Sequence, residues 1–138
     1  MTDTGASPHH FLHPTGWKAT PGYSNGVAAE GRLVFTGGMI GWNGQQEFET
    51  DDFVGQVEAA LKAIVAVLAV AGAGPEHLVR LTWYVTSKRD YLDNLREIGR
   101  VYKAVIGRHF PAMALVQVVA LVEDRSKVEI EATAVVPR

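Results

Sequence analysis

The 138-residue chain contains no cysteine, which excludes disulfide bonds, a thiolate nucleophile and any cysteine-ligated metal site. It also lacks a basic tract. Thirteen Lys and Arg stand against 15 Asp and Glu, for a formal charge of −2, and no Lys/Arg block is interleaved with aromatics, so no nucleic-acid partner is expected. The longest apolar run, near Ala63 to Ala71, is too short to span a bilayer, and no basic segment followed by an apolar stretch opens the chain. A Gly-x-Ser-x-Gly elbow, a phosphate-binding Gly-Lys-Ser/Thr loop and a dinucleotide fingerprint are all missing, which removes esterase, nucleotide-hydrolase and dehydrogenase readings. On these absences a cytoplasmic protein with no membrane partner and no metal is expected.

What is present is the composition of one globular domain, with 47% hydrophobic and 20% charged residues. Residues 1–20 carry Gly, Pro, Ser and Thr without a steady period and read as a flexible N-terminal arm, leaving 21–138 as the folded domain. The arm holds His9, His10 and His13, but no acidic or histidine partner at fixed spacing accompanies them, so a metal site is not expected.

The stretch from Val27 to Ile40 reads as two short strands about a Glu-Gly turn. From Asp52 onward, Phe53, Val57, Leu61, Ile64 and Leu68 recur at steps of three and four, predicting a helix capped by Asp51 or Asp52 and closed at Gly72. A strand follows in HLVRLTWYVT, where Trp83 reads as core. A second helix starts at Ser87, carries the stripe Tyr91, Leu95, Ile98, Tyr102 and Val105, and ends at Gly107.

The last two strands differ from each other. Val128, Ile130, Ala132, Ala134 and Val136 alternate with Glu129, Glu131, Thr133 and Val135, so one face is core. In the run Ala112 to Val122, by contrast, both faces are apolar. One layer of helices covers one face of a sheet, and a second copy of the chain is the expected cover for the other. The order β-β-α-β-α-β-β predicts an α+β domain, a mixed sheet with both helices on one face.

Five segments in this order, PGYSNGV (21–27), LVFTGGMI (33–40), the AG that ends the first helix, FPAM (110–113) and VEIEATAVV (128–136), resemble the RidA/YjgF family of reactive intermediate (enamine/imine) deaminases, also called L-PSP endoribonucleases. The resemblance implies a chorismate-mutase-like homotrimer with clefts for small metabolites between subunits, and cofactor-free hydrolysis of an enamine or imine to a keto acid and ammonia. It assigns substrate contact to Tyr23 and water positioning to Glu129. In the family an arginine clamps the substrate carboxylate where this chain has Met113, whose thioether can neither donate a hydrogen bond nor neutralise an anion. Gly37, beside Gly38, stands where active members carry a small hydroxyl residue, and Gly99 where they carry asparagine.

Around this nucleus Trp42, in a glycine-flanked loop, is a candidate cleft wall, and His109, before Phe110-Pro111, is a candidate proton donor or acceptor. Arg80, Arg108 and Arg125 are the cations available to replace the missing clamp. The residues therefore support a deaminase-like hydrolase of altered substrate range, with a non-catalytic, metabolite-binding trimer as the alternative. An endoribonuclease is a minor one, since neither a basic surface nor a paired general acid and base is evident.

Overall fold

A computed structural model describes residues 6–138. Its centre is a five-stranded mixed sheet, in which β3 (Arg32–Phe35), β7 (Val128–Val136), β5 (Leu78–Val85) and β6 (Ala112–Gln117) lie side by side in that order, and β4 (Met39–Ile40) continues the β3 edge along β7. Strands β5 and β6 run parallel, and the other pairings are antiparallel. The connection between the parallel strands carries the second helical segment, as a parallel crossover requires.

Paired residues share a sheet face. Leu81, Trp83 and Val85 of β5 therefore project with Ala132, Ile130 and Val128 of β7, and all six are buried. The helix α1 (Phe53–Val70) lies on this face, burying Phe53, Val57, Leu61, Ile64 and Leu68. That is the stripe predicted from the three- and four-residue spacing. Asp52 caps it, its Oδ2 accepting from the Gly55 amide at 2.9 Å, while Asp51 pairs with Arg125. Gly72 takes the left-handed conformation after the last turn, at φ 73°. By length and hydropathy α1 meets the criterion for crossing a membrane, but it is the core helix of this domain, packed on β7 and the second helical segment.

Four expectations are corrected. Residues 10–12 are not part of a loose arm: β1 (His10–Leu12) pairs antiparallel with β2 (Gly26–Ala28) in a separate two-stranded sheet. The first five residues of the expected arm lie outside the described residues. Consequently Val27 to Ile40 is not a hairpin, since β2 pairs with β1 and β3 with β7.

The second helix is two, α2 (Lys88–Leu92) and α3 (Leu95–Val105). Asn94 separates them, its Nδ2 donating to the Asp90 carbonyl at 2.7 Å, a local bond that competes with continuation of the helix. Ser87 starts α2 as expected, accepting from the Asp90 amide at 3.3 Å. Finally, β6 stops at Gln117. The residues beyond it form a connection in which Val119 and Val122 are almost wholly exposed.

That connection is tied down by one side chain. Gln56 of α1 is fully buried; its Nε2 donates to the carbonyls of Thr50 and Arg125, and its Oε1 accepts from the Lys127 amide at 2.8 Å.

Candidate functional site

The sheet face away from the helices is largely open. It carries Arg80, Thr82 and Tyr84 from β5, Glu129, Glu131 and Thr133 from β7, and the exposed apolar side chains of Leu33, Phe35 and Val116. Both glutamates are thus on the face that the alternation leaves out of the core. The Tyr84 hydroxyl donates to Glu131 Oε1 at 3.1 Å. That bond first, then partial desolvation and the charges of Glu131 and Glu129, raises the Tyr84 phenol above its ordinary pKa.

Glu129 is half-buried and pairs with no cation among the described residues. Its side chain passes over Gly38, where any Cβ would overlap Oε2 and the carboxyl carbon. Gly38 and Glu129 are therefore brought together, and Gly37 adjoins them with open space where a side chain would stand. A hydroxyl is nonetheless present one residue earlier. Thr36 Oγ1 donates to the Gly37 carbonyl at 2.8 Å and accepts from the Ala132 amide at 3.0 Å, bridging β3 to β7. Sequence inspection passes over Thr36 because it matches the hydroxyl position only after a one-residue shift.

Tyr23 belongs to the opposite lateral edge. The adjoining Ser24 bridges Ala112 in parallel, its amide donating to the Pro111 carbonyl at 3.0 Å and its hydroxyl to the Phe110 carbonyl. Tyr23 is thereby fixed beside the start of β6, 42% exposed. His109 lies just upstream, half-buried, with its carbonyl accepting from the Tyr102 hydroxyl. Tyr102 stacks on Phe110, the ring centroids 5.5 Å apart, and burial raises its phenol far above the ordinary range.

Met113 follows on β6. It pairs with Leu81 and packs against the core cluster, so it projects to the helix side, opposite to Glu129. Within one chain the expected residues thus form two groups, Tyr23, His109 and Met113 at the β6 edge and Gly37, Gly38 and Glu129 at the β4/β7 edge. Strand β5 lies between them, which separates β6 from β7 by about 10 Å.

Two candidates fall outside both groups. Trp42 stands beside α1 in a groove of about 540 Å³ lined also by Met39, Ala63 and Val67, its ring 5.8 Å from that of Phe48. Gly99 is on the solvent side of α3, with nothing near a Cβ position. The histidines of the N-terminal segment are dispersed. His9 Nε2 bonds the His77 carbonyl at 3.0 Å, and His13 spans Trp17 and Asn25.

Comparison with known proteins places this arrangement. The family model described as endoribonuclease L-PSP matches residues 15–136. Protein DfrA of Myxococcus xanthus is 37% identical over 124 residues, which cover 86% of this chain and 88% of that protein. TdcF of Escherichia coli, named as a reactive intermediate deaminase, is 32% identical over 108 residues, 76% of this chain and 80% of TdcF. Its crystal structure with bound serine covers 97% of this chain and 96% of that one, at a TM-score of 0.65 and 29% identity. The structure of YyfB from Yersinia pestis, of the conserved Rid protein family, superposes with a TM-score of 0.81 at 29% identity, covering 93% of this chain and 98% of that chain. The family model over residues 15–136 and these similarities lead to one conclusion: the chain belongs to the RidA/YjgF family, whose model carries the older description endoribonuclease L-PSP.

Proposed function

We propose that this protein hydrolyses the C=N bond of a small enamine or imine, adding water and releasing ammonia and a carbonyl compound, in clefts shared between the subunits of a homotrimer. The observation that carries the reading is the placement of Tyr23 at the β6 edge of the sheet and of Glu129, held against Gly38, on β7 toward the β4 edge, the carboxylate without a cation partner among the described residues. A heterologous contact that closes into a ring brings one edge of a subunit against the other edge of its neighbour, which would complete a cleft that no single chain contains. In that cleft Glu129, held against Gly38, orients and deprotonates the attacking water, and Tyr23 contacts the substrate.

The similarity to a protein named as a reactive intermediate deaminase, crystallised with serine, supports amino-acid-derived substrates. Met113 alters the range. A charge-assisted hydrogen bond is worth about 1.5–3 kcal/mol, so loss of the arginine contact lowers catalytic efficiency on 2-aminoacrylate by roughly tenfold to a hundredfold relative to an arginine-bearing relative. The test is hydrolysis of 2-aminoacrylate generated in situ, followed by keto-acid formation, beside such a relative and beside Glu129→Gln. Acceleration over buffer that disappears in Glu129→Gln is expected. No acceleration on any imine of a panel would overturn the reading.

A second reading, a trimer that binds a metabolite without turnover, is favoured by one observation. Met113 packs against the core cluster and its thioether donates no hydrogen bond, so this position itself supplies no anion contact.

A further inference from the structure

The structure points to a replacement for the lost anion clamp on the other face of the sheet: we propose that Arg80 binds the carboxylate of a small aliphatic monocarboxylic acid in the cavity between the β1–β2 hairpin and the open sheet face. The inference rests on the proposed function only in taking the ligand to be a 2-oxo or 2-imino acid; a binding site for such acids stands whether or not they are turned over.

Of the three cations available, two are placed elsewhere. The Arg125 guanidinium is bonded to Asp51 at 2.9 Å and lies 5.2 Å over the Phe48 ring. Arg108 is exposed on the connection before His109 and lines none of the described cavities. Arg80 has no carboxylate within 4.0 Å among the described residues, and it lines a cavity of about 330 Å³.

The floor of that cavity is a row of paired residues, Ala112, Arg80 and Thr133, across β6, β5 and β7. Leu12 and Val27 from the hairpin supply an apolar wall, and Asn25 a polar one. The Thr133 hydroxyl has no protein partner among the described residues, so it is available beside the guanidinium as a second donor. A planar fork with a neighbouring hydroxyl matches a carboxylate, and the hairpin wall matches a short alkyl chain.

The same face sets a selectivity. Glu131 is the diagonal neighbour of Arg80, about 7–8 Å away by strand geometry, and its charge faces the same solvent. A second carboxylate on the ligand would approach Glu131, so monocarboxylates are preferred to dicarboxylates. Ser24, bridged to Ala112 at the end of the floor row, brings the Tyr23 segment alongside the cavity, which places a carboxylate held by Arg80 next to a residue of the proposed cleft.

The experiment is titration of the full-length protein with pyruvate, methyl pyruvate and succinate, followed by calorimetry and by amide chemical shifts. Pyruvate should bind, its neutral ester and succinate at least about tenfold more weakly, and the amides of Asn25, Ala112 and Thr133 should shift. Arg80→Gln should weaken pyruvate binding at least about tenfold, Arg80→Lys less, and the matched charge change Arg108→Gln not at all. Wild-type protein that does not bind pyruvate, shifts confined to other residues, or an Arg80→Gln protein that binds as wild type would each overturn the assignment. The amide shifts need no variant, so the test survives a misfolded Arg80→Gln. Imine hydrolysis separates the two readings: turnover without Arg80-dependent pyruvate binding sinks the Arg80 site alone, and Arg80-dependent pyruvate binding without turnover sinks the hydrolase alone.

Discussion

Gly38, immediately before β4, lies so close to Glu129 of β7 that the carboxylate fills the space where any other residue at position 38 would place its Cβ. The absence of a side chain there is what allows the carboxylate to lie against the β4 backbone. Gly38→Ala should therefore displace Glu129 without removing it. On the proposed chemistry kcat falls about tenfold or more and KM changes less, because the lost contribution is orientation of the attacking water. Steady-state kinetics on an imine, with circular dichroism to verify the fold, measures this; an unchanged kcat would detach Glu129 from the chemistry.

Reintroducing the clamp is the complementary experiment. Met113→Arg should raise hydrolysis of imino acids several-fold, well short of an arginine-bearing relative, because the position lies against the core and offers no prepared partner for a guanidinium. The variant should also lose about 1–2 kcal/mol of stability by burying part of a charged side chain. The gain should vanish in Met113→Arg with Glu129→Ala. Persistence of activity in the double variant would show that the water is activated elsewhere.

The apolar side chains on the open face bear on assembly. Phe35 is 66% exposed and Leu33 60%, both on β3. If a neighbouring subunit covers them, Phe35→Asp removes about 2 kcal/mol of apolar burial from each interface and adds a charge that must be desolvated. Sedimentation should then show a trimer for the wild type and a folded monomer for the variant. A wild-type monomer at micromolar concentration would sink the trimer.

Alkaline stability tests the packing behind the β6 edge. Burial raises the Tyr102 phenol, so above its ordinary pKa of 10.0 the unfolded chain releases a proton that the folded chain keeps. The folded state then binds more protons, and stability, complete below about pH 10, falls as pH rises beyond it. Tyr91, raised by burial as well, adds to the same slope. Tyr102→Phe should cost about 1 kcal/mol at neutral pH, from the lost bond to the His109 carbonyl, and should flatten the decline above pH 10. Urea denaturation at pH 7 and pH 10.5 compares the two.

Several features could be read from the residues because they are local. The α1 stripe follows from a spacing of three and four, and the burial of Ile130 opposite Glu129 and Glu131 from alternation. The β1–β2 pair could not, since three residues are too few to show a period, and the break at Asn94 depends on one side-chain bond. The run through Val122 illustrates another limit. Apolar composition predicts a strand, yet whether Val119 has anything to pack against is decided by distant elements. The division of the candidate site follows the same rule. Met113 and Glu129 stand on opposite faces, and two strands apart, because β5 inserts between β6 and β7, a consequence of chain topology that no motif encodes. By contrast, Arg80, Thr82 and Tyr84 alternate with buried Leu81, Trp83 and Val85, so their common face is legible from the alternation alone.

The buried amide of Gln56 has a bearing on the order of folding. Its partners, Thr50, Arg125 and Lys127, come from segments about as far apart in sequence as half the chain, and the side chain reaches them only from a formed and docked α1. The exposed connection after β6 has little burial of its own to hold it, so it acquires its native path late, once the helix presents that amide. A lesion at Gln56 would accordingly loosen the end of β6 and the start of β7 while leaving the early helix–sheet nucleus intact, and its mark would be faster unfolding with little change in the rate of folding.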